Sequence, residues 1–224
     1  MKRKIGVITI GQSPREDVLA EMRPLLGENI EVLQAGALDG LTQEEVGLFV
    51  PKENDFVLVS KLRNGNNVKF GESHILPRLQ QCIEKLEGEG AELIAFICTG
   101  KFPAVFSSDK ILLYPQTLLH ALVPNLAPRG KIGVINPDQD QIRQCLEIWG
   151  KSVPTVEAVV GSPYGDIEHV MAAAEELRNK DVDIIVMDCI GYTVQMKDTV
   201  SKITGKPVIL ARTLVARIIR EMLD

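Results

Sequence analysis

Cys98 and Cys189 are the residues whose type and setting point most directly to chemistry. Each closes a short, almost uninterrupted apolar run: Glu92-Leu-Ile-Ala-Phe-Ile-Cys98-Thr99-Gly100 and Val182-Asp-Ile-Ile-Val-Met-Asp188-Cys189-Ile-Gly191. A thiol at the start of a helix is drawn toward thiolate, because the free N–H groups there favour negative charge. A thiolate on one face of a carbon removes a proton while a thiol on the other face donates one, which is racemisation or epimerisation without a cofactor. The carbon must carry a carboxylate or carbonyl to hold the developing charge, and fixed donors must meet that charge. The candidates are the hydroxyls of Ser13, Thr99 and Thr193, nearby backbone N–H groups, and the cations Arg15 and Arg212. The competing reading is two buried, inert cysteines at strand ends, since cysteine is among the most buried residue types.

The elements that must position these thiols follow from the apolar runs themselves. Runs of this length predict strands buried on both faces, as in a parallel sheet covered by helices. Ligands of open α/β sheets sit just beyond the carboxyl ends of the strands, where both thiols fall. The other two of the four cysteines differ in context. Cys82 shares a helical face with Ile75, Leu79, Ile83 and Leu86, and Cys145 lies beside Ile142, Leu146 and Trp149, so both are expected to be small core hydrophobes. With no CxxC motif or Cys/His cluster, neither a zinc site nor any other metal or cofactor is expected.

Along the chain, Lys4–Ile10 predicts the first strand, turning at Gly11-Gln12 into a helix start at Ser13-Pro14-Arg15-Glu16. Ser13 and Glu16 have the spacing of a capping box, with Pro14 at the first helical position. A strand, a tight turn and a helix N-terminus make an anion site, here with Gln12, Ser13 and Arg15. Glu31–Gln34 and Asp55–Ser60 are further strands, and Asn64-Gly65 predicts a type I′ hairpin. That hairpin is a candidate lid, with Arg63 near its tip. Ser73 is expected to cap a helix running to about Glu87. A short strand at 110–114, a helix near 116–122 and a linker over 124–130 follow.

Lys131-Ile-Gly-Val-Ile135 then repeats Lys4-Ile-Gly-Val-Ile8 and marks a restart. Strands at 155–160, 182–189 and 207–210 alternate with helices at 138–149, 166–178 and 193–203 and from Arg212 onward. The expected fold class is therefore α/β, with two similar parallel-sheet, Rossmann-like lobes facing one another. Their expected extents are 1–128 and 129–224, with room for the chain to cross back between them. Thr99, Gly100, Thr193 and Arg212 join Gln12, Ser13 and Arg15 as expected substrate contacts.

The 224 residues carry 25 basic against 30 acidic side chains, a net charge of −5 without a dominant basic cluster, which argues against nucleic acid as partner. No apolar stretch approaches the ~18–20 residues of a membrane span. The N-terminus lacks the pattern of a signal peptide, so a cytoplasmic location is expected. The expected partners are a small anionic ligand, carboxylate or phosphorylated, and a second copy of the chain in a candidate homodimer.

Ile8-Thr-Ile-Gly-Gln-Ser-Pro-Arg-Glu-Asp17, Phe96-Ile-Cys-Thr-Gly100, Asp188-Cys-Ile-Gly-Tyr192 and Pro207-Val-Ile-Leu-Ala-Arg212 give the chain, over nearly its full length, a resemblance to the AroM family. That bacterial group is named from its genetic association with aromatic biosynthesis. More loosely, the chain resembles the aspartate/glutamate/hydantoin racemase superfamily, which implies a racemase-like fold with Cys98 and Cys189 as acid and base. The sequence departs from that superfamily where Thr99-Gly100 follows the first cysteine in place of Asn-Thr, and Ile190-Gly191 follows the second in place of Thr. Arg15 and Arg212 suggest a ligand more anionic than a simple amino acid. Racemisation, isomerisation and decarboxylation are the open reaction types. From a different class, a non-catalytic anion-binding or regulatory protein linked to aromatic metabolism fits the same residues.

Overall fold

A computed structural model describes residues 2–53 and 55–223. They fall into two compact units, one running to Pro115 and taking in the chain again from Ile219, the other Gln116–Ile218. Against the boundary expected at 128/129, the division comes earlier. The segment expected to be a linker is partly helical, because Pro124 lies inside helix Pro115–Leu126.

The first unit contains β1 (Arg3–Thr9), α1 (Glu16–Leu26), β2 (Ile30–Gly36), α2 (Gln43–Gly47), β3 (Val57–Lys61), β4 (Asn67–Gly71), α3 (Leu76–Gly88), β5 (Leu93–Phe96) and β6 (Ile111–Leu113). Its main sheet has four parallel strands in the order β2-β1-β5-β6, and β3-β4 is a separate antiparallel pair. The second unit contains α4 (Pro115–Leu126), β7 (Lys131–Asn136), α5 (Ile142–Trp149), β8 (Thr155–Val160), α6 (Ile167–Arg178), β9 (Ile184–Met187), α7 (Val194–Thr204), β10 (Val208–Leu210) and most of α8 (Ala211–Leu223). Its sheet is also parallel, in the order β10-β9-β7-β8. Taken from its β8 edge, this is the order of the first sheet: second, first, third, fourth strand of the sheet in chain order.

The repeated pentapeptide occupies the same place in both sheets. Ile5, Gly6 and Ile8 pair with Leu93, Ile94 and Phe96; Ile132, Gly133 and Ile135 pair with Ile184, Ile185 and Met187. The shared glycine has one packing role. A Cβ on Gly6 would lie 3.0 Å from Leu86 of α3, and one on Gly133 would lie 3.2 Å from Leu177 of α6. In each case a helix leucine fills the space over the first strand, which any larger residue would deny it.

Three local expectations change. The hairpin turn is not type I′, which needs positive φ at both central residues. The Gly65 N–H donates to the Leu62 carbonyl, and Gly65 alone has positive φ (89°), the pattern of a three-residue loop closed by a glycine bulge. Ser73 does not cap α3; it lies in a 3-10 turn at Glu72–His74 and its hydroxyl donates to Asp55. Helix α2, unforeseen, begins with a complete capping box between Thr42 and Glu45. Among the described residues, no helix is long and apolar enough to cross a membrane.

Candidate active site

The two cysteines occupy equivalent positions, one in each unit. Beyond the last paired residues of β5 and β9, Ile97 N–H donates to Ile8 O (2.8 Å) and Asp188 N–H to Ile135 O (3.0 Å). Cys98 and Cys189 come next. Each therefore leaves the sheet where the unit's first and third strands lie side by side. The chain's direction across the sheet reverses at that point, which is where open α/β sheets form crevices. Each thiol also accepts a hydrogen bond from the glycine two residues on: Gly100 N–H to Cys98 Sγ (3.3 Å) and Gly191 N–H to Cys189 Sγ (3.4 Å). Neither glycine has room for a side chain. A Cβ on Gly100 would be 2.7 Å from Leu58, and one on Gly191 would be 2.9 Å from the Tyr164 ring and hydroxyl.

Exposure does not distinguish these cysteines from the other two, since all four are buried. Location does. Cys82 and Cys145 sit on the packed faces of α3 and α5, and burial pushes their thiols up to about 11 and about 12.

Around Cys98, the loop to β6 contains no helix, so a helix dipole does not act on this thiol at close range. The loop is held by aromatic packing, with Phe102, Phe106 and Tyr114 all against Phe96. Thr99 and Gly100 are half-buried at its start. Strand β3 packs on both neighbouring loops, placing Leu58 against Gly100 and Ser60 against Gly11.

The expected anion cradle at Gly11–Arg15 is built differently from the capping-box model. Helix α1 begins at Glu16, after a cis Ser13–Pro14 bond, with Arg15 at the cap position and no side-chain cap. Ser13 donates from both its N–H (2.8 Å) and its hydroxyl (2.6 Å) to Asp39. Gly36 N–H and the Arg63 guanidinium converge on the same carboxylate. The Gln12 amide donates to Leu41 O and accepts from Arg63 N–H, and Arg63 Nε also donates to Ser13 O. Arg63 thus fastens the hairpin tip to this loop and does not project as a free lid. Arg15, 5% exposed, grips Asp17 with two hydrogen bonds (2.8 and 2.7 Å), and its N–H donates to Gln34. Beside these residues lies an open cleft of about 350 Å³ lined by Gln12, Arg15, Asp17, Lys61 and Arg63 among others.

Around Cys189 the supports are buried. Arg212, 1% exposed, donates from Nε to Ile190 O (3.0 Å) and from Nη2 to Gly191 O (2.9 Å). It braces the turn after the cysteine from within the unit. Thr193 is the N-cap of α7 and accepts from Met196 N–H (3.2 Å). Cys189 precedes this helix by a full turn of irregular chain and is not its first residue.

Two tyrosines here were not foreseen. The Tyr164 hydroxyl lies 3.5 Å from Cys189 Sγ, and the Tyr192 hydroxyl donates to Gly161 O (2.8 Å). Burial first, with Cys189, Asp188 and Tyr164 adding, pushes the Tyr192 hydroxyl well above its ordinary range, so it remains a neutral donor. The available signal was position: Gly161-Ser162-Pro163-Tyr164-Gly165 follows β8 at the carboxyl edge of the sheet. Asp39 gave a fainter one, an acid before glycine after β2.

Among the described residues, no group of acidic, histidine or cysteine side chains is arranged to hold a metal ion. The family model described as "AroM protein" matches residues 5–223. A search of curated proteins finds no match. Among solved structures, allantoin racemase from Klebsiella pneumoniae aligns with a TM-score of 0.68 at 14% identity, over 99% of this chain and 88% of that one. The maleate isomerase Iso from Pseudomonas putida S16 aligns at 0.65 and 13% identity, over 99% and 94%. Glutamate racemase from Francisella tularensis subsp. tularensis SCHU S4, in complex with D-glutamate, aligns at 0.60 and 15%, over 99% and 81%. These likenesses establish a racemase/isomerase-like α/β fold.

Proposed function

Since the chain belongs to the AroM protein family and shares the fold of racemases and an isomerase, we propose that it is a cofactor-independent racemase or isomerase. Its substrate is a small carbon acid bearing a carboxylate, and Cys98 and Cys189 divide the acid and base roles. The observation that carries this reading is the equivalence of the two cysteines: each follows the third strand of its parallel sheet in the same register and accepts from the glycine N–H two residues on. A duplicated scaffold with one thiol per copy supplies two chemically alike groups. A reaction that removes a proton from one face of a carbon and returns one to the other can use such a pair in both directions.

In the proposed mechanism one sulfur, as thiolate, takes the proton from the substrate carbon and forms an S–H bond. The carboxylate takes up the negative charge, and the opposite thiol delivers its proton to the other face. Backbone N–H groups at Gly100 and Gly191 stabilise whichever sulfur is anionic. Arg15, Lys61 and Arg63 around the cleft of the first unit are the proposed contacts for an anionic substrate.

The experiment is hydrogen exchange. Small carboxylic and phosphorylated acids that raise the melting temperature are incubated with the protein in heavy water, then followed by proton NMR and chiral chromatography. Exchange of the α-hydrogen, with racemisation or double-bond isomerisation, is expected. A tightly bound carbon acid that keeps its hydrogen, configuration and carboxylate would overturn the enzyme and leave an anion-binding protein.

A further inference from the structure

We propose that Tyr164 is a functional residue of the Cys189 half-site, its hydroxyl donating to the sulfur and holding Cys189 as the thiolate. The use made of that thiolate rests on the two-thiol reading above; the contact itself does not. Tyr164 stands in a loop built to hold it there. Gly161 N–H is bound to Asn136 O (2.9 Å), Gly161 O receives the buried Tyr192 hydroxyl (2.8 Å), and Tyr164 N–H donates to Ser162 Oγ (3.2 Å). A Cβ on Gly161 would lie 2.8 Å from Ala173 of α6, so the loop enters as close to the helix as backbone can. On the other side Gly191, lacking a Cβ, lets the Tyr164 ring and hydroxyl approach the backbone that donates to the same sulfur. Cys189 Sγ therefore meets groups from two segments, the donor Gly191 N–H at 3.4 Å and Tyr164 Oη at 3.5 Å, a contact in which either the hydroxyl or the thiol can donate.

An anion on Cys189 is the state this arrangement suits. Donors directed at a thiolate form charge-assisted bonds, about twice as strong as those between neutral groups. The Arg212 guanidinium, behind the carbonyls of Ile190 and Gly191, adds positive charge on the far side of the turn. The Asp188 carboxylate, next in the chain, opposes it, and its Oδ2 receives the Trp149 indole N–H (3.0 Å). The Tyr192 phenol is held neutral by burial. When Cys189 takes a proton from substrate carbon, the C–H bond breaks and an S–H bond forms. Tyr164 keeps its own proton throughout, and only the strength of its bond to sulfur changes.

The test is per-cysteine alkylation of the full chain by iodoacetamide between pH 6 and 10, resolved by mass spectrometry, in wild type and Tyr164→Phe. Loss of the hydroxyl is expected to move the Cys189 midpoint upward and slow its alkylation at pH 7 by ~3- to 10-fold, with the high-pH plateau and the Cys98 profile unchanged. Gly191→Ala is the second variant. Its Cβ displaces the Tyr164 ring while the tyrosine is retained, and it should reproduce the shift, which also keeps the test alive if Tyr164→Phe does not fold. An unmoved Cys189 profile, or faster alkylation at pH 7 because the thiol is the donor, would overturn the proposal. Should wild type fail to exchange substrate hydrogen, the enzyme reading falls while the Tyr164 effect on Cys189 still stands or fails by this measurement.

Discussion

The Cys98 and Cys189 loops start from one plan and are secured by opposite means. Both leave the third strand of a parallel sheet in the same register, and both bind the thiol to a glycine N–H. In the first unit the Cys98 loop is held by Phe102, Phe106 and Tyr114 against Phe96, and the neighbouring Gly11–Arg15 loop by the Asp39 carboxylate, 30% exposed, which gathers Ser13, Gly36 and Arg63. The second relies on groups sealed from water, Arg212 on the carbonyls of Ile190 and Gly191 and Tyr192 on Gly161. A buried donor whose partner is removed loses more than an exposed one, because water cannot replace the bond. The expectation is therefore an adaptable loop in the first unit and a stiff loop in the second.

The sharpest test of the pairing of Cys98 with Cys189 is selective labelling. With thiols pushed up to about 11 and about 12, Cys82 and Cys145 hold about 1 part in 10⁴ and 1 part in 10⁵ as thiolate at pH 7. Brief iodoacetamide treatment of the folded chain should therefore leave both unlabelled until denaturant is added. Labelling of either core cysteine ahead of Cys98 and Cys189 would break the distinction.

If the two loops share one reaction, Cys98→Ser and Cys189→Ser should each lower racemisation or isomerisation by about 10²–10⁴-fold. Hydrogen exchange should survive in the variant that keeps a working base on the face attacked. A variant that loses neither would show that the loops do not act as a pair. Loss through one cysteine alone, with the other merely slowed, would point to decarboxylation.

The difference in bracing has its own measurement. Arg212→Met strands two buried carbonyls and is expected to cost about 2–5 kcal/mol in urea unfolding. Asp39→Asn keeps the shape and loses the charge of a partly exposed hub, so about 1–2 kcal/mol is expected, with faster amide exchange over residues 11–15 and 62–66. Equal costs in the two variants would erase the distinction between stiff and adaptable loops.

Much of this organisation was readable in the chain because it is set by neighbours in sequence. Almost uninterrupted apolar runs at 92–98 and 182–189 predicted strands covered on both faces, and helical spacing assigned Cys82 and Cys145 to buried faces. The second Lys-Ile-Gly-Val-Ile predicted a second sheet, and its register with β9 repeats that of the first copy with β5. The capping box at Ser13–Glu16 was equally plausible by spacing and did not form. Asp39 lies 26 residues away and gives Ser13 a charged acceptor for both its N–H and its hydroxyl, and the loop is held by those bonds. Arg212 reaches carbonyls 22 and 21 residues back, and Tyr164 meets a sulfur 25 residues on. Periodicity and capping rules act over a single turn of chain, so they assign the elements and the strand-end thiols. Which cation, hydroxyl or carbonyl meets those loops depends on strand order, and only the folded sheet brings such distant partners within hydrogen-bond reach.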